Sequence, residues 1–167
     1  LLDFLKLFNR ILSNNEKFDI NLIIIGEGPL KKSIDNFIIE NKLKDRVFVK
    51  GAIYDEIILS SYFYKSLCMI TPNQAGLSVL KSMGYGVPVI TKFNSITGGE
   101  RFNINENNGF LYKSENELEI IINQCFYNPS LFIQKGENAK EYYENNATIN
   151  HMLKGFENAI NYATGVK

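Results

Sequence analysis

The sequence predicts an α/β protein with a Rossmann-like parallel sheet and helices on both of its faces. Short apolar runs rich in β-branched residues alternate with stretches whose apolar residues recur at helical spacing, and turns containing glycine or proline end the runs. Strands that are apolar along their whole length are typical of parallel sheets, which are buried on both faces. The length suits one domain with a sizeable core, and we predict that residues 1–167 form it.

The predicted elements alternate regularly along the chain. Strands are predicted at Ile20–Ile25, Arg46–Gly51, Ser66–Pro72, Val87–Thr91 and Gly109–Tyr112. Helices are predicted at Leu1–Leu12, Leu30–Asn41, Ile57–Tyr64, Leu77–Tyr85, Glu115–Phe126, Ser130–Tyr143 and Asn150–Ala163. Gly86 stands where the fourth helix should stop, and residues 92–108 are polar and are predicted to form a loop.

Composition excludes several classes of protein. Lys+Arg and Asp+Glu both number 18, so no overall positive charge would attract nucleic acid. A single histidine, His151, and two cysteines without CxxC spacing argue against a zinc site and against a Ser/His/Asp hydrolase. His151 lies far from every predicted strand end, so we expect it to be structural or exposed. No apolar run approaches the ~18 residues that span a bilayer, and we expect a cytoplasmic protein.

Ligands of such folds bind beyond the carboxyl ends of the strands, and four segments lie there: residues 26–28, 51–54, 71–78 and 91–100. The turn at residues 26–28, Gly-Glu-Gly, would let a ligand approach the backbone closely because its glycines carry no Cβ. Lys31 stands where a GxGxxG fingerprint needs its third glycine, so a plain tight turn explains these glycines equally well.

The segment from Asn73 to Ser78 gives a stronger signal, because it follows a strand, contains small residues and opens a predicted helix. Backbone N–H groups at the start of a helix bind phosphate through their unsatisfied donors and the positive end of the helix dipole. Ala75 and Gly76 would let a diphosphate approach. The alternative is a capping loop in which Asn73 or Ser78 caps the helix.

Glu100 ends the sequence Gly98-Gly99-Glu100, which follows the polar stretch after a strand. An ionised carboxylate accepts hydrogen bonds from two neighbours at once, so Glu100 could bind sugar hydroxyls. A solvated surface glutamate is the alternative.

Four motifs, in this order along the chain, resemble the C-terminal domain of the family 4 glycosyltransferases, the retaining group with the GT-B fold. They are a "GxGP" turn within residues 22–30, a "DRV-F-G" strand at 44–51, a long signature ending in "G-x-P-V-I" at 71–90, and "N-G-x-L" at 108–111. The resemblance covers nearly the whole chain and is closer to a divergent branch of the family. It implies the C-terminal half of a GT-B fold, whose N-terminal acceptor domain and basic diphosphate clamp lie outside these residues. The first helix, which begins without a capping residue, likewise predicts that the natural chain extends upstream.

The resemblance implies roles position by position. It places Gly26, Glu27 and Gly28 against the diphosphate, and it has Ala52 and Ile53 frame the nucleobase. It also implies that a group of backbone N–H donors faces the phosphates, namely those of Ala75, Gly76, Leu77 and Ser78.

Two positions depart from the family pattern. The family's paired glutamates, eight residues apart, fall at Asn73 and Lys81 in this chain. A lysine cannot accept the ribose hydroxyl hydrogen bonds of the second glutamate, so Lys81 would instead donate to a phosphate or ribose oxygen. In the divergent branch a later glutamate takes part of that role, and Glu100 is its match. Asn73 and Glu100 are therefore the candidate catalytic residues.

The implied function is that of the donor half of a glycosyltransferase, binding a nucleoside diphosphate sugar, with UDP favoured, for retaining hexosyl transfer in bacterial surface polysaccharide synthesis. No metal and no cofactor are required, because backbone dipoles and cations can stabilise the leaving diphosphate. The acceptor, a glycan or a lipid-linked sugar, would bind the missing N-terminal domain, which could also associate with the inner face of the membrane. Residues 1–167 alone are expected to be inactive.

Other functions remain open at this point. Asn73 and Lys81 favour a non-catalytic nucleotide-sugar-binding module of the same fold. A nucleotide-sugar epimerase or an NAD enzyme would share the Rossmann-like architecture. The missing GxGxxG and the lack of a ribose-binding acid after the strand at 46–51 count against NAD.

Overall fold

The computed structural model describes residues 1–15 and 17–165, which pack as two compact units. Unit 1 comprises Leu1–Lys65 and Tyr112–Pro129, and unit 2 comprises Ser66–Leu111 and Ser130–Lys167. Parallel strand pairing and helices on both sides of the sheets confirm the predicted α/β class. No helix in the described ranges combines the length and the apolar character that crossing a membrane requires.

The described residues of unit 1 form, in chain order, α1 (Leu2–Asn14), β1 (Leu22–Ile24), α2 (Lys31–Glu40), β2 (Val47–Val49), α3 (Glu56–Phe63) and α5 (Glu115–Tyr127). The strands β1 and β2 pair in parallel, with Leu22 opposite Val47 and Ile24 opposite Val49. Both strands are shorter than the apolar runs that predicted them, because only three residue pairs are in register.

The core of unit 1 is formed largely by α1 and α5. One face of α1 is buried through the residues Phe4, Leu5, Leu7, Phe8 and Ile11. The ring of Phe18, which is 1% exposed, lies 5.1 Å from the ring of Phe126 on α5. Arg10 on α1 places Nη2 2.8 Å from carboxylate oxygens of both Glu115 and Glu119. The ion pairs of Arg10 join the two helices within unit 1.

The elements of unit 2, two of which run one residue past its bounds, are β3 (Met69–Thr71), β4 (Gln74–Ala75), α4 (Ser78–Gly84), β5 (Val89–Lys92), β6 (Ile96–Thr97), a 3-10 helix (Glu100–Asn103), β7 (Gly109–Tyr112), α6 (Pro129–Asn146) and α7 (Ile149–Thr164). Strand β5 lies between β3 and β7, and β3 and β5 are parallel. A second parallel pair joins β4 to β6. Residues 92–108 therefore contain a strand and a 3-10 helix, where the sequence predicted only a loop.

The core of unit 2 joins α4, β5 and α6. Its buried residues are Ala75, Val79, Met83, Val89, Ile104 and Ala139. The buried hydroxyl of Ser82 donates to the carbonyl oxygen of Val87 at 2.8 Å, which satisfies a polar atom where α4 returns to β5. Gly86 has φ +74°, a left-handed conformation that ends α4 as predicted.

Candidate functional site

In unit 1, the parallel pairing of β1 with β2 brings together two of the segments that the sequence analysis selected. The strands end at the same edge, so the loops that follow them are neighbours. The N–H of Gly26 donates to the carbonyl oxygen of Gly51 at 2.8 Å, and the N–H of Lys50 donates to that of Ile24 at 2.9 Å. Oε1 of Glu27 lies 3.5 Å from the point that a Cβ on Gly51 would occupy. Residues 26–28 and 51–53 therefore form one continuous edge of unit 1.

The backbone gives its own reason for two of these glycines. Gly26 has φ +135° and Gly51 has φ +70°, conformations that residues with a Cβ rarely adopt. The N–H of Gly26 already donates to the carbonyl oxygen of Gly51, so this N–H stabilises the turn. Gly28 has no such positive φ, and no described atom lies within 4 Å of where a Cβ would be on either Gly26 or Gly28. The turn is therefore open to an approaching ligand at both of these glycines.

In unit 2, the pairing of β4 with β6 brings together the other two segments. Gln74 is opposite Ile96 and Ala75 is opposite Thr97, and the N–H of Ile96 donates to the carbonyl oxygen of Asn73 at 3.0 Å. Because the strands are parallel, residues 76–78 and residues 98–100 leave the pair at the same end. The 3-10 helix that begins at Glu100 packs against α4.

The helix predicted at Leu77–Tyr85 is present as α4 within one residue at each end, but Ala75 does not stand at its start. Ala75 lies in β4 and is fully buried, while α4 begins at Ser78 with Leu77 as its N-cap residue. None of the described side chains caps this helix, so the alternative in which Asn73 or Ser78 serves as the cap is wrong. The physical reason is the pairing of β4 with β6. Because β6 lies about 20 residues further along the chain, local periodicity does not indicate this pairing. Half-buried Gly76 and exposed Leu77 form the connection between β4 and α4.

A hydrogen-bonded turn fixes the loop that contains Glu100. Oε2 of Glu100 accepts from the hydroxyl of Thr97 at 3.1 Å and from the N–H of Gly98 at 3.0 Å. The same hydroxyl accepts from the N–H groups of Gly99 at 3.0 Å and Arg101 at 3.1 Å. A hydrogen bond from its own backbone N–H, together with those from Thr97 and Gly98, lowers the pKa of Glu100 below its ordinary value. Glu100 is therefore a carboxylate that orders its loop through one of its oxygens.

Sequence reasoning missed two residues of this loop. The first is Thr97, whose hydroxyl stabilises the turn. A threonine three residues before a glutamate is the pattern in the sequence that could have indicated this side-chain-to-backbone turn. Arg101 was the other. Its guanidinium carbon lies 5.3 Å from the ring centre of Phe93 and 4.3 Å from that of Phe102. Stacking on aromatic faces favours a guanidinium, so the rings hold this cation beside Glu100.

The remaining predicted residues lie on exposed surface. Asn73 precedes β4, and Lys81 lies on the exposed side of α4. His151 lies on α7, where its Nδ1 is 2.7 Å from the hydroxyl of Thr148, so the prediction of an exposed histidine is confirmed. Nowhere in residues 1–15 and 17–165 do three His, Cys, Asp or Glu side chains gather as a metal site would require.

Comparison with known proteins gives the family. The family model of the glycosyl transferases group 1 matches residues 1–145. A protein described as uncharacterized glycosyltransferase MJ1178, from Methanocaldococcus jannaschii, is 29% identical over 129 residues, which are 74% of this chain and 36% of that protein.

Solved structures give the fold. TarM is 22% identical with a TM-score of 0.78, over 94% of this chain and 32% of TarM. The C-terminal domain of a glycosyl transferase group 1 family protein, LpcC from Francisella tularensis, is 20% identical with a TM-score of 0.67, over 86% of this chain and 78% of that domain. The chain therefore spans about a third of the length of MJ1178 and TarM, and it has the fold of a C-terminal GT-B domain. Because the family model covers most of its length, the chain belongs to the glycosyl transferases group 1.

Proposed function

We propose that this chain is the donor-binding half of a retaining glycosyltransferase that takes a UDP-sugar and transfers a hexosyl group. The observation that carries the proposal is the β4–β6 pair in unit 2, which joins residues 76–78 and 98–100 into one edge in a member of the group 1 family. A structure of Staphylococcus aureus TarM in complex with UDP supports the choice of nucleotide.

The chemistry of this edge suits a diphosphate. Gly76 has no described atom within 4 Å of the position of a Cβ, so the backbone is accessible at this loop, whereas the N–H groups of Gly98 and Gly99 already donate to Glu100 and Thr97. Backbone N–H groups aimed at a developing negative charge stabilise it without any reorganisation. The cations Lys81 and Arg101 lie on the two elements that meet here, α4 and the 3-10 helix. Together these groups would stabilise the leaving diphosphate, and we propose that no metal ion is required.

In unit 1 we assign the residues by the same resemblance. Gly26 and Gly28 are the open positions of their turn, and Glu27, Ala52 and Ile53 lie on the same edge. We propose that residues 26–28 serve the diphosphate and residues 52–53 the nucleobase. Alanine variants of Glu27 and Ile53, which leave the left-handed glycines intact, test this assignment through their effect on UDP affinity.

The acceptor belongs to a longer protein in this proposal. The chain spans about a third of two of the proteins it resembles, so we place acceptor binding, of a glycan or a lipid-linked sugar, on a preceding domain. We further propose that the whole enzyme works in the cytoplasm, at the inner face of the membrane, in bacterial surface polysaccharide synthesis. The 167 residues alone should bind donor and transfer nothing, and the product of the longer protein should keep the anomeric configuration of its donor, as read by proton NMR.

Calorimetry tests the donor assignment. UDP should bind more tightly than uridine, because the proposed contacts in unit 2 serve the phosphates, and more tightly than GDP, ADP or NAD. Chelation of divalent cations with EDTA should leave the UDP affinity unchanged. Equal affinity for UDP and uridine would contradict the proposal.

A second candidate is a nucleotide-sugar-binding module without catalysis. Asn73 and Lys81 favour it, because both are exposed and neither supplies the carboxylate of the family pattern. Turnover of a UDP-sugar by the longer protein, with glycan and lipid-linked acceptors supplied, decides between the two. Tight UDP-sugar binding without any turnover would favour the module.

A further inference from the structure

Unit 2 contains a polar groove that none of the predicted donor residues lines. Its volume is about 410 Å³, which is within the range of small-molecule sites. One wall is the loop of residues 105–108, and the other is the second half of α6. Six of the residues that line it are asparagines, and the others are Glu141 and Tyr142.

The α6 wall is a stripe of polar residues at helical spacing. Asn138, Glu141, Tyr142 and Asn145 follow one another at intervals of three, one and three residues, so they share one face of the helix. The opposite side of α6 is apolar and reaches the core through Phe132. The face towards the loop presents amides, a carboxylate and a phenol.

Hydrogen bonds hold the loop wall in place. Oδ1 of Asn108 accepts from the N–H of Asn105 at 2.8 Å, and Nδ2 of Asn108 donates to the carbonyl oxygen of Asn103 at 2.9 Å. Nδ2 of Asn138 on α6 donates to the carbonyl oxygen of Asn107 at 2.9 Å, which ties the two walls together. The groove therefore exists before any ligand arrives, and binding would not need to order it.

Several polar groups of the groove remain available to a ligand. Because Nδ2 of Asn138 is used by the loop, its Oδ1 is left as an acceptor. Within the described residues, the carboxylate of Glu141 and the amide of Asn145 have no hydrogen-bond partner. The half-buried ring of Tyr142 offers an apolar face beside them.

This combination selects one class of ligand. Amides both donate and accept, a carboxylate accepts from two neighbours, and hydroxyl groups do both, so vicinal hydroxyls match the set. Among the residues that line the groove, the one ionisable at neutral pH is an acid, Glu141, which disfavours phosphates and other anions. We propose that the groove binds a neutral oligosaccharide through its hydroxyl groups, with Glu141 and Asn145 as the main contacts. The proposal is independent of the donor function, because no nucleotide takes part.

The test is an NMR titration of the 167-residue chain with maltotetraose and with the tetramer of N-acetylglucosamine. The side-chain amide signals of Asn138 and Asn145 should shift saturably with at least one of them, and added UDP should not abolish the shift. Glu141→Gln should weaken binding about tenfold, since it removes a charged acceptor, and Asn145→Ala should weaken it as well.

The controls are Glu137→Gln, an exposed glutamate of α6 outside the groove, and Asn158→Ala on α7. Both should bind as the parent does, and backbone spectra of all four variants should overlay with that of the parent. Three results overturn the proposal: neither oligosaccharide gives a saturable shift, Glu141→Gln and Glu137→Gln bind equally, or UDP displaces the oligosaccharide. UDP affinity, measured separately, tests the donor function whatever the outcome here.

Discussion

The hydroxyl of Thr97 donates to Oε2 of Glu100 at 3.1 Å and accepts backbone N–H groups of Gly99 and Arg101. This one side chain therefore fixes the carboxylate and the backbone of the loop that follows β6. Because β6 pairs with β4, the same turn borders the connection into α4. The proposed donor contacts of this loop therefore depend on the side chain of Thr97.

The first prediction concerns the ionisation of Glu100. Removing the hydroxyl with Thr97→Val should raise the pKa of Glu100 towards its ordinary value, since one of the hydrogen bonds to the charged form is lost. In the parent, the lowered pKa means that the loop's hydrogen bonds are complete above the ordinary glutamate pKa and are lost as pH falls through the lowered value. Carbon NMR of the Glu100 carboxyl measures both pKa values. Thr164→Val, whose hydroxyl bonds only within its own helix, is the control and should leave the Glu100 pKa unchanged.

The second prediction separates the contributions of Lys81 and Glu100 to UDP binding. If Lys81 donates to a phosphate or ribose oxygen, Lys81→Met should lower the affinity by about 1.5–3 kcal/mol. We expect this loss, and we expect that Lys81→Glu will not restore the affinity. Glu100→Gln should also weaken binding, because it removes the charge that orders the loop. Calorimetry that finds a loss at Glu100 and none at Lys81 would mean that Lys81 does not contact the ligand.

The third prediction uses the open space at Gly76. A side chain there meets no atom within 4 Å, so Gly76→Val should fold and melt as the parent does. It should nevertheless lower UDP affinity, because a branched side chain would stand where the diphosphate approaches the backbone. Gly155→Val on α7, which is equally open, is the matched control and should not change the affinity. Unchanged UDP binding by Gly76→Val would remove this segment from the site.

The fourth prediction concerns stability. A Cβ on Gly136 would overlap the carbonyl oxygen of Gly86 and stand 3.2 Å from Cδ of Pro88. Gly136→Ala should therefore destabilise the chain by about 1–3 kcal/mol, as an overpacked contact does. Gly155→Ala, in a helix with open space, should instead stabilise by about 0.5–1 kcal/mol. Urea unfolding measures both, and a neutral Gly136→Ala would show that α6 can shift away from Gly86.

The sequence determined the order and type of most elements. The apolar runs at 20–25 and 87–91 became β1 and β5, and Gly86 ended α4 in the left-handed conformation that its position suggested. These features depend on neighbours within a few residues of each other, through hydrophobic periodicity and glycine's freedom of φ. The motifs also predicted the C-terminal domain of a glycosyltransferase, and the match of the glycosyl transferases group 1 model over residues 1–145 confirms it at that level.

Only the tertiary structure decided how the candidate site is assembled. Ala75 was predicted at a helix start and lies buried in β4. The cause is strand pairing, since Ala75 is paired with Thr97, which lies in a distant part of the chain. The role of Thr97 in holding Glu100, and the groove between the loop at 105–108 and α6, depend likewise on hydrogen bonds and packing in three dimensions. Local periodicity indicates which face of an element is apolar. The pairing of a two-residue strand depends instead on backbone N–H and C=O groups, which are the same in every residue but proline, so the side-chain pattern does not indicate its partner.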